Sequence, residues 1–347
     1  MLVDRTFELN KNIKIKNAIL LAPMEGITDL PFRLLCKELG ADIVYTEFVA
    51  SEALIRDVEK SFNKMLIDKK ERPVAIQIFG SNPKVMAEAA KIAEEEGADI
   101  VDINYGCWVK KVVNNNAGAA LMKNPELMAE ITNECSASVK IPVTIKTRLG
   151  WDKKSINIFE IAKLQEKAGA KAITVHCRTR DMKITGKADW TFIPKIKKEI
   201  SIPLVLNGDI SSPQVALEAI KTEGADAIMI GRAAVGNPFI FSEAKYLFEN
   251  GEEMPPATIQ KRIDVCIKHL ENCIEYKGQQ GLYEFRKHYS GYLRGMFGAT
   301  NVRQKLVVSE EINDIKKILS DYYDYLVEND RLSINNHSEI PKVQCRR

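Results

Sequence analysis

No apolar stretch among the 347 residues approaches the ~18 uninterrupted positions of a membrane-crossing helix. The opening MLVDRTFELNKNIKIKNAILLAP is charged and interrupted, the pattern of neither a secretion signal nor a transit peptide. The cytoplasm is therefore the expected compartment, and no membrane partner is expected. The seven cysteines are odd in number and include no C-x-x-C pair. Scattered as Cys36, Cys107, Cys135, Cys177, Cys266, Cys273 and Cys345, they argue against a disulfide framework, a zinc site or an iron–sulfur cluster, so no metal is expected. The formal charge is only +3, too slight to announce a polyanionic partner by itself. No G-x-G-x-x-G turn follows the first apolar run, which speaks against a doubly wound dinucleotide fold.

What is present is a repeat. A helical pattern ending in Gly-Ala and passing at once into an apolar run occurs four times, in ELGADIVYTEF, EEGADIVDINYG, KAGAKAITVHCR and TEGADAIMIGR. Gly40, Gly97, Gly169 and Gly224 suit the left-handed position that closes a helix. A proline opens an apolar strand in RPVAIQIFG, IPVTIKTRLG and IPLVLNGD, at Pro73, Pro142 and Pro203, where its missing N–H is tolerated. With NAILLAPM in front, eight strands alternate with helices such as PKVMAEAAKIAEEEG. Val- and Ile-rich strands alternating with helices imply parallel pairing with both faces covered. Eight such units predict a (β/α)8 TIM barrel. Residues 1–17 read as a hairpin closing its bottom, within a catalytic domain spanning 1–241. From 242 to 330 the pattern is helical, and 331–347 is a polar tail. Cys266 and Cys273, seven apart on one helix, read as core.

Barrel enzymes carry their chemistry at the carboxyl ends of the strands, and there the sequence turns polar. The strands end, in order, at Pro23-Met24-Glu25, Glu47, Gln77, Asn104 with Cys107, Lys146 with Arg148, His176 with Arg178, Asn207-Gly208-Asp209 and Gly231-Arg232. Loops seven and eight are the usual phosphate site of such barrels. Gly208 and Gly231 let backbone N–H groups approach an anion and Arg232 adds charge. Gln77, Lys146 and His176 above a phosphate grip suit FMN, whose ring needs polar partners and whose single phosphate needs one anion site. A Schiff-base aldolase using Lys146 fits these residues as well.

A further set of stretches resembles one family, the tRNA-dihydrouridine synthases. They are LAPMEGITDLPFR, DINYGCWVKKVV, AGAALMKNPELM, VTIKTRLGWD, VHCRTR, GKADWTFIPKIK, LNGDI, IMIGRAAVGNPFIF and RKHYSGYLRGMFG, in the family's order from about residue 18 to 325. The resemblance implies an FMN barrel followed by a helical RNA-binding domain, reduction of uridine to 5,6-dihydrouridine in tRNA, and NADPH as electron donor. By motif, Pro23, Met24 and Glu25 would border the flavin, with Gln77, Lys146 and His176 around its ring. Asn207, Gly208, Asp209, Gly231 and Arg232 would hold its phosphate. Cys107 falls on the catalytic cysteine, Asn104 on a substrate-side asparagine, and Arg178 on an arginine near the target base. Lys110 and Lys111 would meet RNA phosphates.

The resemblance implies a thiol that donates a proton to C5 of uracil and so reaches over the cofactor from a polar loop, which would account for a cysteine among glycine, lysines and asparagines in NYGCWVKKVVNNNAG. One departure stands out: Trp108 occupies the position after the cysteine where the family has proline. Proline stiffens a loop, whereas a tryptophan face can stack on a base. Arg286, Lys287, His288, Arg294, Arg303 and Lys305 are expected to form a basic face toward RNA. Ribosomal RNA, or a small pyrimidine or enone, is the alternative substrate. No protein partner is evident.

Overall fold

The computed structural model describes residues 3–334, so Cys345 and the tail beyond residue 334 lie outside the described residues. A two-stranded hairpin, β1 (Thr6–Asn10) and β2 (Ile13–Lys16), precedes the main sheet. The sheet runs β3 (Ile19–Leu21), β4 (Val44–Tyr45) with its short continuation β5 (Val49–Ala50), β6 (Val74–Phe79), β7 (Ile100–Asn104), β8 (Val143–Arg148), β9 (Ile173–His176), β10 (Leu204–Asn207) and β11 (Ala227–Ile230). Neighbours pair in parallel, and β11 pairs with β3. The ring closes where Leu20 bridges Ile43, ahead of β4. Eight parallel strands thus make the barrel, with β4 and β5 counted as one interrupted strand.

Local chemistry explains the regularity. Asn82, Asn124 and Ser212 cap the helices Pro83–Glu95, Pro125–Ser138 and Pro213–Lys221, each side chain accepting from backbone N–H groups of the first turn. Proline follows at once in all three, a first helical position where its missing donor is harmless. Gly40, Gly97 and Gly169 end helices at φ values of 105°, 90° and 99°, in the region where a side chain would clash. Each terminator is followed within a few residues by the next strand.

Strand residues alternate in direction. Val74, Ile76, Ile78, Val101, Ile103, Val143, Ile145, Ile173 and Val175 belong to the core shared with the helices. Ala75, Ile100, Ala172, Val205 and Ala227 belong instead to a second cluster with Phe7, Leu9 and Ile13 of the hairpin, which therefore plugs the amino-terminal end. At the other end the barrel is polar.

The helix Ile240–Asn250 contributes Phe241, Ala244 and Phe248 to the barrel core. A separate core gathers from Ile259 onward, on the helices Ile259–Lys277, Gln279–Phe285, Ala299–Val308 and Ile312–Glu328. Phe239, just ahead of the helix Ile240–Asn250, also packs in this second core, so the two cores interleave between residues 239 and 259. Cys266 and Cys273 are buried in this second core. The barrel helix Leu30–Glu38 joins the two: Leu35 packs in the second core, Phe32 lies 5.4 Å from the His269 ring, and Lys277 pairs with Asp29 at 2.6 Å. Among the described residues no helix is long and apolar enough to cross a membrane.

Candidate active site

The parallel register assembles the barrel mouth. It sets Gln77 beside Asp102 and Asp102 beside Thr144, Asn104 beside Lys146, and His176 between Arg148 and Asn207. These are the side chains at alternate positions of β6 to β10, so the polar groups of five strands converge on one axis.

Lys146 Nζ donates to Asn207 Oδ1 at 3.0 Å, and Asn207 Nδ2 donates to the Met229 carbonyl at 2.8 Å. Burial, together with the neighbouring Arg148, lowers the Lys146 pKa to about 8. Burial pushes His176 well below the ordinary imidazole range, and the cations Arg148, Lys146, Arg178 and Arg232 push the same way. His176 is neutral at physiological pH. Arg178 Nη1 lies 3.2 Å from His176 Nε2, and since a guanidinium only donates, Nε2 accepts and the proton sits on Nδ1.

The loop after β7 carries Cys107, 9% exposed and packed with Val112, Ala117, Phe48 and Phe79. The thiol is thus tucked against the rim. Arg148, buried beneath the loop, donates through Nε to the Gly106 carbonyl at 2.9 Å and through Nη1 to the carbonyls of Thr179 and Lys183 at 3.1 and 2.8 Å. It ties the cysteine loop to the loop after β9. Asn104 Oδ1 accepts from the N–H groups of Gly106 and Cys107 at 3.0 and 2.9 Å.

The corner between β10 and β11 is built on two glycines. Gly208 sits at φ 124°, and a Cβ there would meet Ala188 Cβ at 3.0 Å and His176 Cδ2 at 3.1 Å. A Cβ on Gly231 would lie 3.7 Å from Met24 Sδ, beside Ala22. Asp209 turns its carboxylate to the arginines: Arg178 Nη2 donates to both oxygens at 2.6 Å and Arg232 Nη2 to one at 3.3 Å. Arg178, which is 2% exposed, also donates to the carbonyls of Thr185 and Gly186. Its guanidinium is committed to protein partners below the surface, and it acts on the mouth through His176.

Other expected residues lie on the rim. Glu25 is exposed and pairs with Lys64 at 2.6 Å, between half-buried Met24 and exposed Gly26. The adjacent Pro23 is half-buried. Lys110 and Lys111 are exposed in the first turn of the short helix Lys110–Val113. Trp108 has Lys183 Nζ 5.5 Å from its ring centre, and Trp151 lies between Lys123 and Arg180, at 3.6 and 4.2 Å. One expectation for the helical region is corrected. His288 is buried against Phe32, His269 and Phe285 and kept neutral by burial, so it belongs to the core and not to a basic face.

The mouth therefore offers buried hydrogen-bonding groups, a cluster of cations and glycine backbone at one corner, a donor set suited to a flat ligand bearing one phosphate. Comparison with known sequences agrees. The family model for dihydrouridine synthase matches residues 20–325. The chain belongs to the dihydrouridine synthase family. A probable tRNA-dihydrouridine synthase of Rickettsia conorii is 39% identical over 92% of this chain and 98% of its own length. tRNA-dihydrouridine synthase B of Pseudomonas aeruginosa is 42% identical over 83% of this chain and 87% of that protein. Among solved structures, histamine dehydrogenase from Rhizobium sp. 4-9 superposes with a TM-score of 0.56 at 13% identity, over 78% of this chain and 51% of that one. A complex of 2-naphthoyl-CoA reductase gives 0.52 at 13% identity, over 72% and 52%. This chain thus spans about half the length of those two proteins, and the likeness shows a shared barrel fold.

Within this chain, sequence reasoning singles out neither Asp102 nor Thr144 and marks Arg148 only as a strand end. Period two would have found them: Asp102 precedes Asn104 by two, and Thr144, Lys146 and Arg148 follow one another by two.

Proposed function

We propose that this chain reduces uridine in tRNA to 5,6-dihydrouridine, with FMN held in the barrel mouth and NADPH as the reductant. The observation that carries the proposal is a cysteine loop hydrogen-bonded, through Asn104 and Arg148, onto a cationic mouth of the kind one flat phosphorylated group requires. Family membership and relatives named as tRNA-dihydrouridine synthases support it. When bound, FMN supplies the hydride that reaches C6 of the uracil.

The chain's own residues do the rest. Pro23, Met24 and Glu25 border the bound group, while Gln77, Lys146 and neutral His176 give its ring a donor and acceptor set. Asn207 holds the Lys146 ammonium in place. Gly208, Gly231 and Arg232 take the phosphate, and Asp209 holds Arg232 and Arg178 in register. Asn104 and Arg178 lie on the side of the target base, Arg178 acting there through its contact with His176, and Lys110 and Lys111 meet the RNA backbone. The target uridine has to leave its stack to enter the mouth. Cys107 Sγ gives its proton to C5, which with the hydride at C6 saturates the double bond, and the thiolate recovers a proton from solvent. A protonated thiol is a competent general acid.

The test is dihydrouridine formed in unmodified tRNA with NADPH, comparing the wild type with Cys107→Ala. Product with the wild type and a loss of about 10²–10⁴ in the variant is expected for a lost general acid. Equal rates would remove the thiol from the mechanism.

A further inference from the structure

Asp102 is a fully buried carboxylate at the barrel axis that the proposed chemistry does not use. Its Oδ1 accepts from Thr144 Oγ1 at 2.6 Å and its Oδ2 from Gln77 Nε2 at 2.6 Å. Gln77 Oε1 in turn accepts from Asn104 Nδ2 at 2.8 Å, and Asn104 Oδ1 accepts from the N–H groups of Gly106 and Cys107 at 3.0 and 2.9 Å. We infer that Asp102 is a positioning residue for Cys107: its carboxylate is the charged anchor of a hydrogen-bond chain, through the Gln77 and Asn104 amides, that holds the cysteine loop on the barrel mouth.

The direction is a matter of chemistry. A side-chain amide donates at one end and accepts at the other, and rotating it by half a turn exchanges the two. Two amides in series can run in either sense only while both ends are free, and here the carboxylate at one end and two backbone N–H groups at the other impose the same sense. An ionised carboxylate only accepts, so Gln77 must turn its NH2 toward Asp102 and its oxygen toward Asn104. Asn104 must then donate to Gln77, which leaves its oxygen for two backbone N–H groups. In the reversed sense the Asn104 NH2 would confront those N–H groups, donor against donor, in a buried place where unmet polar groups are costly. The groups facing Asp102 are Tyr45 from β4, Gln77 from β6, and Thr144 and Lys146 from β8. Burial raises its pKa to about 6, against the opposing pull of the Gln77 and Thr144 hydrogen bonds and the Lys146 charge, so it is ionised in mildly alkaline solution.

The readout is the rate at which iodoacetamide alkylates Cys107 in the full-length protein at about pH 8, quantified on the Cys107 peptide by mass spectrometry. It needs neither bound flavin nor RNA, so its outcome is separate from that of the activity. In the wild type Cys107 is 9% exposed and should react slowly. Asp102→Asn, which replaces the charged acceptor at the head of the chain by a neutral amide, should raise the rate about tenfold, the factor carried by one net hydrogen bond. The double variant Asp102→Asn with Gln77→Glu moves the acceptor-only group one link along. Asn104 must then still donate toward residue 77, and the rate should return to within about twofold of the wild type. Thr144→Val removes the carboxylate's other partner and leaves the chain intact, so it should react as the wild type does. Gln77→Met cuts the middle link and should show the same rise even where Asp102→Asn does not fold. An unchanged rate in folded Asp102→Asn or in Gln77→Met overturns the inference. So does a rise that the double variant fails to reverse, or an equal rise in Thr144→Val.

Discussion

Arg148→Met tests whether the cysteine loop is held from below by a buried cation. Methionine keeps most of the stem and removes every donor, so the carbonyls of Gly106, Thr179 and Lys183 lose their partner together. Hydrogen bonds to a charged group contribute about 1.5–3 kcal/mol each, giving a gross loss of roughly 5–9 kcal/mol. Burial and the nearby Arg178 oppose this, lowering the Arg148 pKa from 12.5 to about 10. For a base, a lowered folded-state pKa means that the fold disfavours the charged form. At about 1.4 kcal/mol per pKa unit this penalty is roughly 3 kcal/mol, and the variant is relieved of it. The net destabilisation is then roughly 2–6 kcal/mol. With an unfolding entropy of about 2 cal/mol/K per residue, a chain of this length has about 0.7 kcal/mol/K, so Tm should fall by roughly 3–9 °C. Calorimetry measures that fall, and hydrogen exchange should accelerate in the peptides covering 104–109 and 179–186. A raised Tm, or a lowered one with exchange unchanged in both peptides, would refute the reasoning.

Three further predictions address other links. Arg33 and Glu71 form a buried pair at 2.7 Å, and Arg33 also donates to the carbonyls of Thr28 and Leu66, steadying the turn after Met24. Arg33→Met alone should destabilise by about 3–5 kcal/mol in denaturant titration, and adding Glu71→Leu should recover most of it, because the larger part is the uncompensated charge. Lys146 has its pKa lowered to about 8 by burial. The native state therefore binds fewer protons than the unfolded chain between about pH 8 and 10.5, and stability gains with rising pH across that window. The stability difference between wild type and Lys146→Met, measured without added flavin, should shift toward the wild type from pH 8 to 10, and a flat difference would contradict the burial argument. In the helical region, Arg294→Glu with Arg303→Glu should weaken tRNA binding and flatten its dependence on salt, by about one unit of slope for each phosphate no longer neutralised. Unchanged affinity and slope would move the RNA face elsewhere.

The first two thirds of the chain announce their architecture because the signals are local. Asn82-Pro83, Asn124-Pro125 and Ser212-Pro213 open helices, Gly40, Gly97 and Gly169 close them, and apolar runs begin directly afterwards. Once eight such units imply a barrel, strand-end positions alone bring Gln77, Asn104, Lys146, His176 and Asn207 to one mouth. The family motifs add roles for these residues by resemblance.

What only the tertiary structure decided depends on distances between residues far apart in sequence. Asp102 reads as one more acidic residue in an apolar run until the parallel register sets it between Gln77 and Thr144 and buries it. His288 reads as a surface charge in a basic helical stretch, yet Phe32 from the barrel covers it and it is buried. The thiol of Cys107 was legible as a residue but not in its tucked position, which follows from Val112, Ala117, Phe48 and Phe79 closing around it. Capping and periodicity act over a few neighbouring residues and are written in the chain. Burial, and the charge state and hydrogen-bond direction that follow from it, exist only after distant strands have paired.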